Sequence, residues 1–252
     1  MSRFFLLRGL ATIAFAATIA INVLANSLPI NGLNTGEVSN LYPSLFTPTG
    51  LTFSIWSVIY FLLTGFVVLM WNRLNDETIT KLIPWFILSC VFNFCWILAW
   101  HYLYATLSVA IMFCLLSVLI YIFRTLHSLP HPNSNLKTRI WLVLPFTFYL
   151  SWICVATIAN ISAFLVSLDW NGGFFSPQAW TVFMMAVAAL LGAKITYDFK
   201  TPFFSLVIIW AILGIFLRWR GSDHDFIVYS SIILIILLTF SLIYSMRRGG
   251  PA

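Results

Sequence analysis

The sequence predicts an all-α fold, a polytopic bundle of about eight transmembrane helices. Composition and pattern both point there. Of the 252 residues, 61% are hydrophobic and only 8% are charged, whereas an ordinary soluble domain is about 25% charged; so few charges cannot clothe a surface in water. The apolar residues fall in runs of about 20, the length a helix needs to cross a hydrocarbon core ~30 Å thick. In lipid every backbone amide must be satisfied within the chain, so helices follow from the membrane assignment itself.

The first span, Leu6–Asn26, follows Arg3. Although Val23-Leu24-Ala25 resembles a signal-peptidase site, a chain with this many further spans is expected to keep the first as an uncleaved signal. The second, Leu51–Trp71, opens after Pro48 and Gly50. The third, Leu82–Tyr102, and the fourth, Tyr104–Phe123, are parted by a short aromatic break; Trp85 to Phe123 is too long for one crossing, so a tight hairpin is expected. The fifth, Ile140–Phe164, carries Pro145 near its start, and Ala179–Tyr197, Pro202–Leu217 and Phe226–Ser245 complete the eight. Pro48, Pro84, Pro177 and Pro202 are expected at or just before span starts, where a missing amide proton costs little.

Eight spans put both termini on one side of the membrane. If that side is the cytoplasm, the inner segments hold Arg3, Arg8, Arg73, Lys81, Arg124, Lys137, Arg139, Lys194, Lys200, Arg247 and Arg248. The outer segments hold only Arg218 and Arg220, beside Asp223 and Asp225. The positive-inside rule therefore predicts cytoplasmic termini, in what is expected to be a bacterial cytoplasmic membrane. The formal net charge of +6 is spread over helix ends, so it is topological and not a nucleic-acid patch. The outer loop, Ser27 to Gly50, has no Lys or Arg and carries the turn signal Asn31-Gly32; loops of this length without structure of their own are lids or binding loops.

The acids Glu37, Asp76, Glu77, Asp169, Asp198, Asp223 and Asp225 all avoid mid-span positions, which argues against a pump with a carboxylate relay at membrane depth. Lys194 lies inside an apolar run, a turn from its cytoplasmic end, where it can snorkel and pair with Asp198; that reading is preferred to a reactive lysine. His101, His127, His131 and His224 lack metal-ligand spacing. His101, placed where it could meet a haem iron, is read as hydrogen-bonded at an interface. Cys90, Cys95, Cys114 and Cys154 fall in apolar runs as small hydrophobes. No nucleotide loop, nucleophile elbow or paired carboxylate occurs, so no catalytic residue and no metal site is assigned, and the balance is against an enzyme.

Aromatic and amide side chains instead recur with helical spacing. Phe53, Trp56 and Tyr60 do so on the second span, Trp85, Phe92, Trp96 and Trp100 with Asn93 on the third, and Tyr149, Trp152, Ala156 and Asn160 on the fifth. Asn22 and Asn26 lie one turn apart on the first. Trp71, Trp85, Trp141, Trp170, Trp180 and Trp219 are explained by packing or interfacial belts. Trp96, Trp152 and Asn160 fit that explanation less well, because an amide in lipid must turn into the bundle to find partners.

At these residues the chain resembles the TspO/MBR family of tryptophan-rich sensory proteins, which includes the mitochondrial translocator protein, also called the peripheral benzodiazepine receptor. Pro48-Thr49-Gly50-Leu51-Thr52-Phe53-Ser54-Ile55-Trp56 with Tyr60 is similar to the signature opening that family's second helix. Asn93 and Trp96 match its third-helix Asn-x-x-Trp, and Tyr149, Trp152, Ala156 and Asn160 its fifth-helix spacing. Phe53 and Trp56 stand one residue closer than usual, and Pro145 lies three residues further from the tryptophan. The resemblance covers about the first two-thirds of the chain. It implies a five-helix core at residues 1–166, followed by three additional transmembrane helices at 167–252 that have no counterpart in that core. It also implies a flat hydrophobic ligand, tetrapyrrole or sterol-like, held in the outer-leaflet half for sensing or transport, with haem or another porphyrin as the candidate in place of a fixed cofactor. The ligand-binding residues are then Asn26, Trp56, Tyr60, Asn93, Trp96, Trp100, Tyr149, Trp152 and Asn160. Expected partners are the lipid bilayer, the hydrophobic small molecule and a second copy of the chain, with no nucleic acid. A small-solute transporter using all eight helices, or a membrane enzyme acting on a lipid or porphyrin, is the alternative.

Overall fold

The computed structural model describes residues 3–28, 30–73, 76–128, 136–170, 173 and 175–248. Among them every regular element is helical: α1 (Arg3–Ser27), α2 (Thr35–Leu41), α3 (Ile55–Asn72), α4 (Glu77–His101), α5 (Ala105–Ser128), α6 (Leu136–Ser167), α7 (Pro177–Phe199), α8 (Pro202–Trp219) and α9 (Asp225–Arg248). All except the short α2 are long and apolar enough to cross a membrane. Large side chains such as Ile233, Ile236, Leu237 and Phe240 of α9 face outward. Water would drive such a surface into contact with itself, whereas lipid tails solvate it. The chain is a multi-pass membrane protein whose helices contact the bilayer. His131 lies outside the described residues, as do the side chains of Arg3, Lys137, Arg139 and Arg248.

The hairpin between the third and fourth spans is as tight as expected: α4 ends at His101, α5 starts at Ala105, and Leu103 turns the chain with a φ of 60°. Two other expectations change. Pro84 does not mark a span start but lies inside α4, because Asp76 caps the helix well upstream by accepting the Ile79 amide proton at 3.0 Å. Hydropathy misses this cap, which is polar and favourable at the positive helix end. The loop from Ser27 to Gly50 also has structure of its own. Asn31 and Gly32 adopt left-handed φ values of 57° and 78° in a short 3-10 turn, the region Asn and Gly tolerate best. Asn34 and Glu37 then form a capping box on α2, the Asn34 amide donating to Glu37 Oε2 at 2.8 Å and the Glu37 amide to Asn34 Oδ1 at 3.0 Å.

The helices form two compact units, Met1–Val38 with Trp56–Ile153, and Ser39–Ile55 with Cys154–Ala252. In the first, α4 packs on α1 and α5. Its core is a triad of fully buried rings, Phe66, Phe86 and Phe146, meeting edge to face at 4.9–6.1 Å; such pairs contribute about 0.5–1.5 kcal/mol each beyond burial. Gly65 lets α3 lie directly against the Trp141 ring of α6, which an added Cβ would overlap. The buried Arg8 donates from Nε to the Met70 carbonyl at 3.1 Å, placing its cation at the negative end of α3.

In the second unit α7, α8 and α9 pack on one another. Gly192 of α7 is buried where a Cβ would come within 2.7 Å of Ile208 on α8 and 3.6 Å of Leu238 on α9. Thr196 ties the same three helices, its Oγ1 sharing a 2.7 Å hydrogen bond with Ser205 while its carbonyl accepts from Ser245 at 3.1 Å. Lys194 pairs with Asp198 at 2.9 Å on an exposed face, as the spacing predicts.

Candidate functional site

Trp56 opens α3 and Tyr60 follows one turn later, their rings stacked at 5.4 Å with 18° between planes. Around the Trp56 indole stand Trp96 of α4 at 6.5 Å and, edge-on from α6, Tyr149 at 5.9 Å and Trp152 at 6.3 Å. Trp100 stacks on Trp96 at 6.0 Å. Spacings of three, four and seven residues keep each set on one helical face, which is why three helices deliver their rings to one place. These are contact distances for aromatic pairs, and Trp96, Trp100, Tyr149 and Trp152 are at most 6% exposed. Trp56 therefore fills the centre of the cluster that it lines.

Beneath the rings lies a neutral polar network. Asn93, fully buried on α4, accepts at Oδ1 from Asn22 Nδ2 of α1 at 2.9 Å and from the Tyr60 hydroxyl at 3.4 Å, and donates from Nδ2 to the Tyr149 hydroxyl at 2.9 Å. Asn22 also donates to the Thr18 carbonyl, and Thr18 reaches the Cys90 carbonyl at 3.1 Å. An unmet polar group in hydrocarbon costs several kcal/mol, so these amides and hydroxyls gather because each completes another.

A second contact system fastens the front of the Ser27–Gly50 loop. His101, fully buried at the end of α4, has Nδ1 3.3 Å from the Ile30 carbonyl and Nε2 3.1 Å from Thr35 Oγ1. A carbonyl can only accept, so Nδ1 carries the proton and Nε2 accepts from Thr35. The His101 carbonyl in turn accepts from Asn31 Nδ2 at 3.1 Å. Both ring nitrogens are thus engaged by the loop, and His101 acts as a latch.

The family described as TSPO-like protein matches the chain over residues 8–244. The chain belongs to the TSPO-like protein family. No curated protein and no solved structure matches it. The TSPO-like match reaches all eight candidate spans, beyond the first two-thirds of the chain that carry the motifs of the resemblance.

Within this TSPO-like chain the structure brings together Trp56, Tyr60, Asn93, Trp96, Trp100, Tyr149 and Trp152. Asn26 is exposed and its amide turns back to the Asn22 carbonyl at 2.9 Å. The buried stripe of α1 runs Ala11, Phe15, Thr18, Asn22 and Ala25, and Asn26 falls off its edge; that heptad spacing is the signal that singles out Asn22. Asn160 is buried in the second unit.

The second unit also explains what α8 does for the signature segment. Gly214 receives Pro48 and Thr52 where a Cβ would overlap them, and its carbonyl accepts the Thr49 amide proton at 3.2 Å. Trp210 Nε1 donates to the Thr52 carbonyl at 3.0 Å, Trp219 Nε1 to Leu45 at 2.9 Å, and Arg218 to Pro48 at 3.3 Å and Asn40 Oδ1 at 3.2 Å. Trp219, expected to be a packed or interfacial ring, is a hydrogen-bonding anchor for the rear of the loop.

Proposed function

We infer that this TSPO-like protein binds a flat hydrophobic ligand, tetrapyrrole or sterol-like, among the rings of Trp56, Trp96, Trp100, Tyr149 and Trp152, for sensing or transport. One observation carries the reading: the Trp96 indole N–H is buried and has no acceptor among the described residues, although Trp100 beside it donates to the Thr35 carbonyl at 3.5 Å. An orphaned buried donor costs about 1–3 kcal/mol, and a ligand edge bearing an oxygen or nitrogen acceptor removes that cost. For a planar ligand to enter, the half-buried Trp56 indole would swing out of the central position, and the ligand would then stack there between it and the Trp96 ring. The pocket faces the outer leaflet if both termini are cytoplasmic in a bacterial membrane, an orientation supported by the distribution of basic residues.

Protoporphyrin titration of the full chain in nanodiscs tests this. Trp96→Phe, which keeps the ring and removes the donor, should bind about 3- to 10-fold more weakly, and Trp152→Ala should lose more, while Trp85→Ala should match wild type. Equal affinity in all four proteins would refute the site. Solute-dependent flux in liposomes or turnover of the porphyrin would replace the binder with the transporter or the enzyme.

A further inference from the structure

We propose that the cleft between the end of α6 and the start of α7 is a second binding site, for a neutral compound about one aromatic ring in size that carries both a hydrogen-bond acceptor and a hydroxyl or N–H donor. Every residue lining it belongs to the second unit, so the inference is independent of the ring cluster around Trp56. Its volume is about 160 Å³, close to the ~150 Å³ of an apolar cavity that takes benzene. Leu165 and the edge-to-face pair Trp170 and Trp180, 4.9 Å apart, supply an apolar wall for a ring.

The polar atoms define what the ring carries. Trp180 Nε1 is buried and has no acceptor among the described residues. Ser44, Ser162 and Thr181 line the same cleft and are 6%, 5% and 2% exposed. Ser162 donates to the Ile158 carbonyl and Thr181 to the Pro177 carbonyl, each at 2.9 Å, so their protons are committed and their oxygens are left as acceptors. Ser44 Oγ accepts the Phe46 amide proton at 3.3 Å and keeps its own proton to donate. The wall thus offers donors at Trp180 and Ser44 and acceptors at Ser162 and Thr181. None of the lining residues is charged, so an ionic ligand would be desolvated without compensation; a phenol or a lactam satisfies the set.

The probe is 4-fluorophenol, observed by fluorine NMR with the full chain in nanodiscs. Saturable line broadening that excess phenol relieves is expected with wild type. Trp180→Phe should weaken it about 3- to 10-fold, the worth of one hydrogen bond, and Leu165→Trp should abolish it by filling the cleft. Trp96→Phe should leave it unchanged, which separates this site from the ring cluster. Should Trp180→Phe melt abnormally, Ser44→Ala replaces it, with a weakening of the same order. Broadening that does not saturate, that persists in Leu165→Trp, or that is lost only in Trp96→Phe overturns the proposal.

Discussion

Replacing Asn93 by Leu tests whether the polar network beneath the rings is a structural keystone. The side chain links α4 to α1, α3 and α6 through contacts of 2.9, 3.4 and 2.9 Å. Interhelical hydrogen bonds in membranes average about 0.6 kcal/mol and reach about 1.7, so two good bonds and one long one account for about 1–3 kcal/mol. Leucine matches the volume but leaves the Tyr149 hydroxyl, and the more distant Tyr60 hydroxyl, without this partner, adding about 1 kcal/mol of unmet desolvation; Asn22 retains its bond to the Thr18 carbonyl. Asn93→Leu should therefore destabilise by about 2–4 kcal/mol, measured by steric trapping or detergent-denaturation equilibria. Tyr149→Phe alone strands the Asn93 amide and should cost about 1–2 kcal/mol. The double variant should cost less than the sum by about 1 kcal/mol, because neither partner is then left unmet. Strict additivity, or an Asn93→Leu protein as stable as wild type, would refute the reasoning.

Gly192→Leu should lower the melting temperature by several degrees, equivalent to about 1–3 kcal/mol of overpacking, because the side chain must enter space held by Ile208 and Leu238; an unchanged melt counts against that close approach. His101→Ala should speed chymotryptic cleavage near Leu41 and Tyr42 several-fold by releasing the front of the Ser27–Gly50 loop, with Thr35→Val acting in the same direction but less, and an unaltered digestion rate would mean the latch is idle. In a cysteine-free background, Arg220→Cys should be labelled by an impermeant maleimide in intact cells and Arg124→Cys only after permeabilisation, both positions being exposed; the reverse pattern would invert the topology.

The spans and the ring cluster were legible in the sequence for the same reason. Lipid forces helices, and a helix fixes which residues share a face, so Asn93, Trp96 and Trp100 or Tyr149 and Trp152 follow from local spacing alone. What escaped depends on long-range contacts or on polar atoms that hydropathy ignores. Asp76 starts α4 upstream of its apolar run, and Asn22 outranks Asn26 because Asn93 waits opposite it. The Ser27–Gly50 loop shows the limit most clearly. Its front is latched by His101 and its rear by Trp210, Arg218 and Trp219, residues far away in the chain that no periodicity links to it.

That rear anchorage gives the last helices a structural reason to exist. Gly214 reads in the sequence as one more small residue in an apolar span, yet it is the point where α8 admits Pro48 and Thr52. A side chain there must push away the segment that enters α3 four residues before Trp56. Because Thr49 and Thr52 also spend their backbone groups on Gly214 and Trp210, the Pro48-to-Trp56 signature cannot be shaped by the first five spans alone. The turn it forms and the helix that grips it pack as one unit, and the family match from Arg8 to Tyr244 includes both.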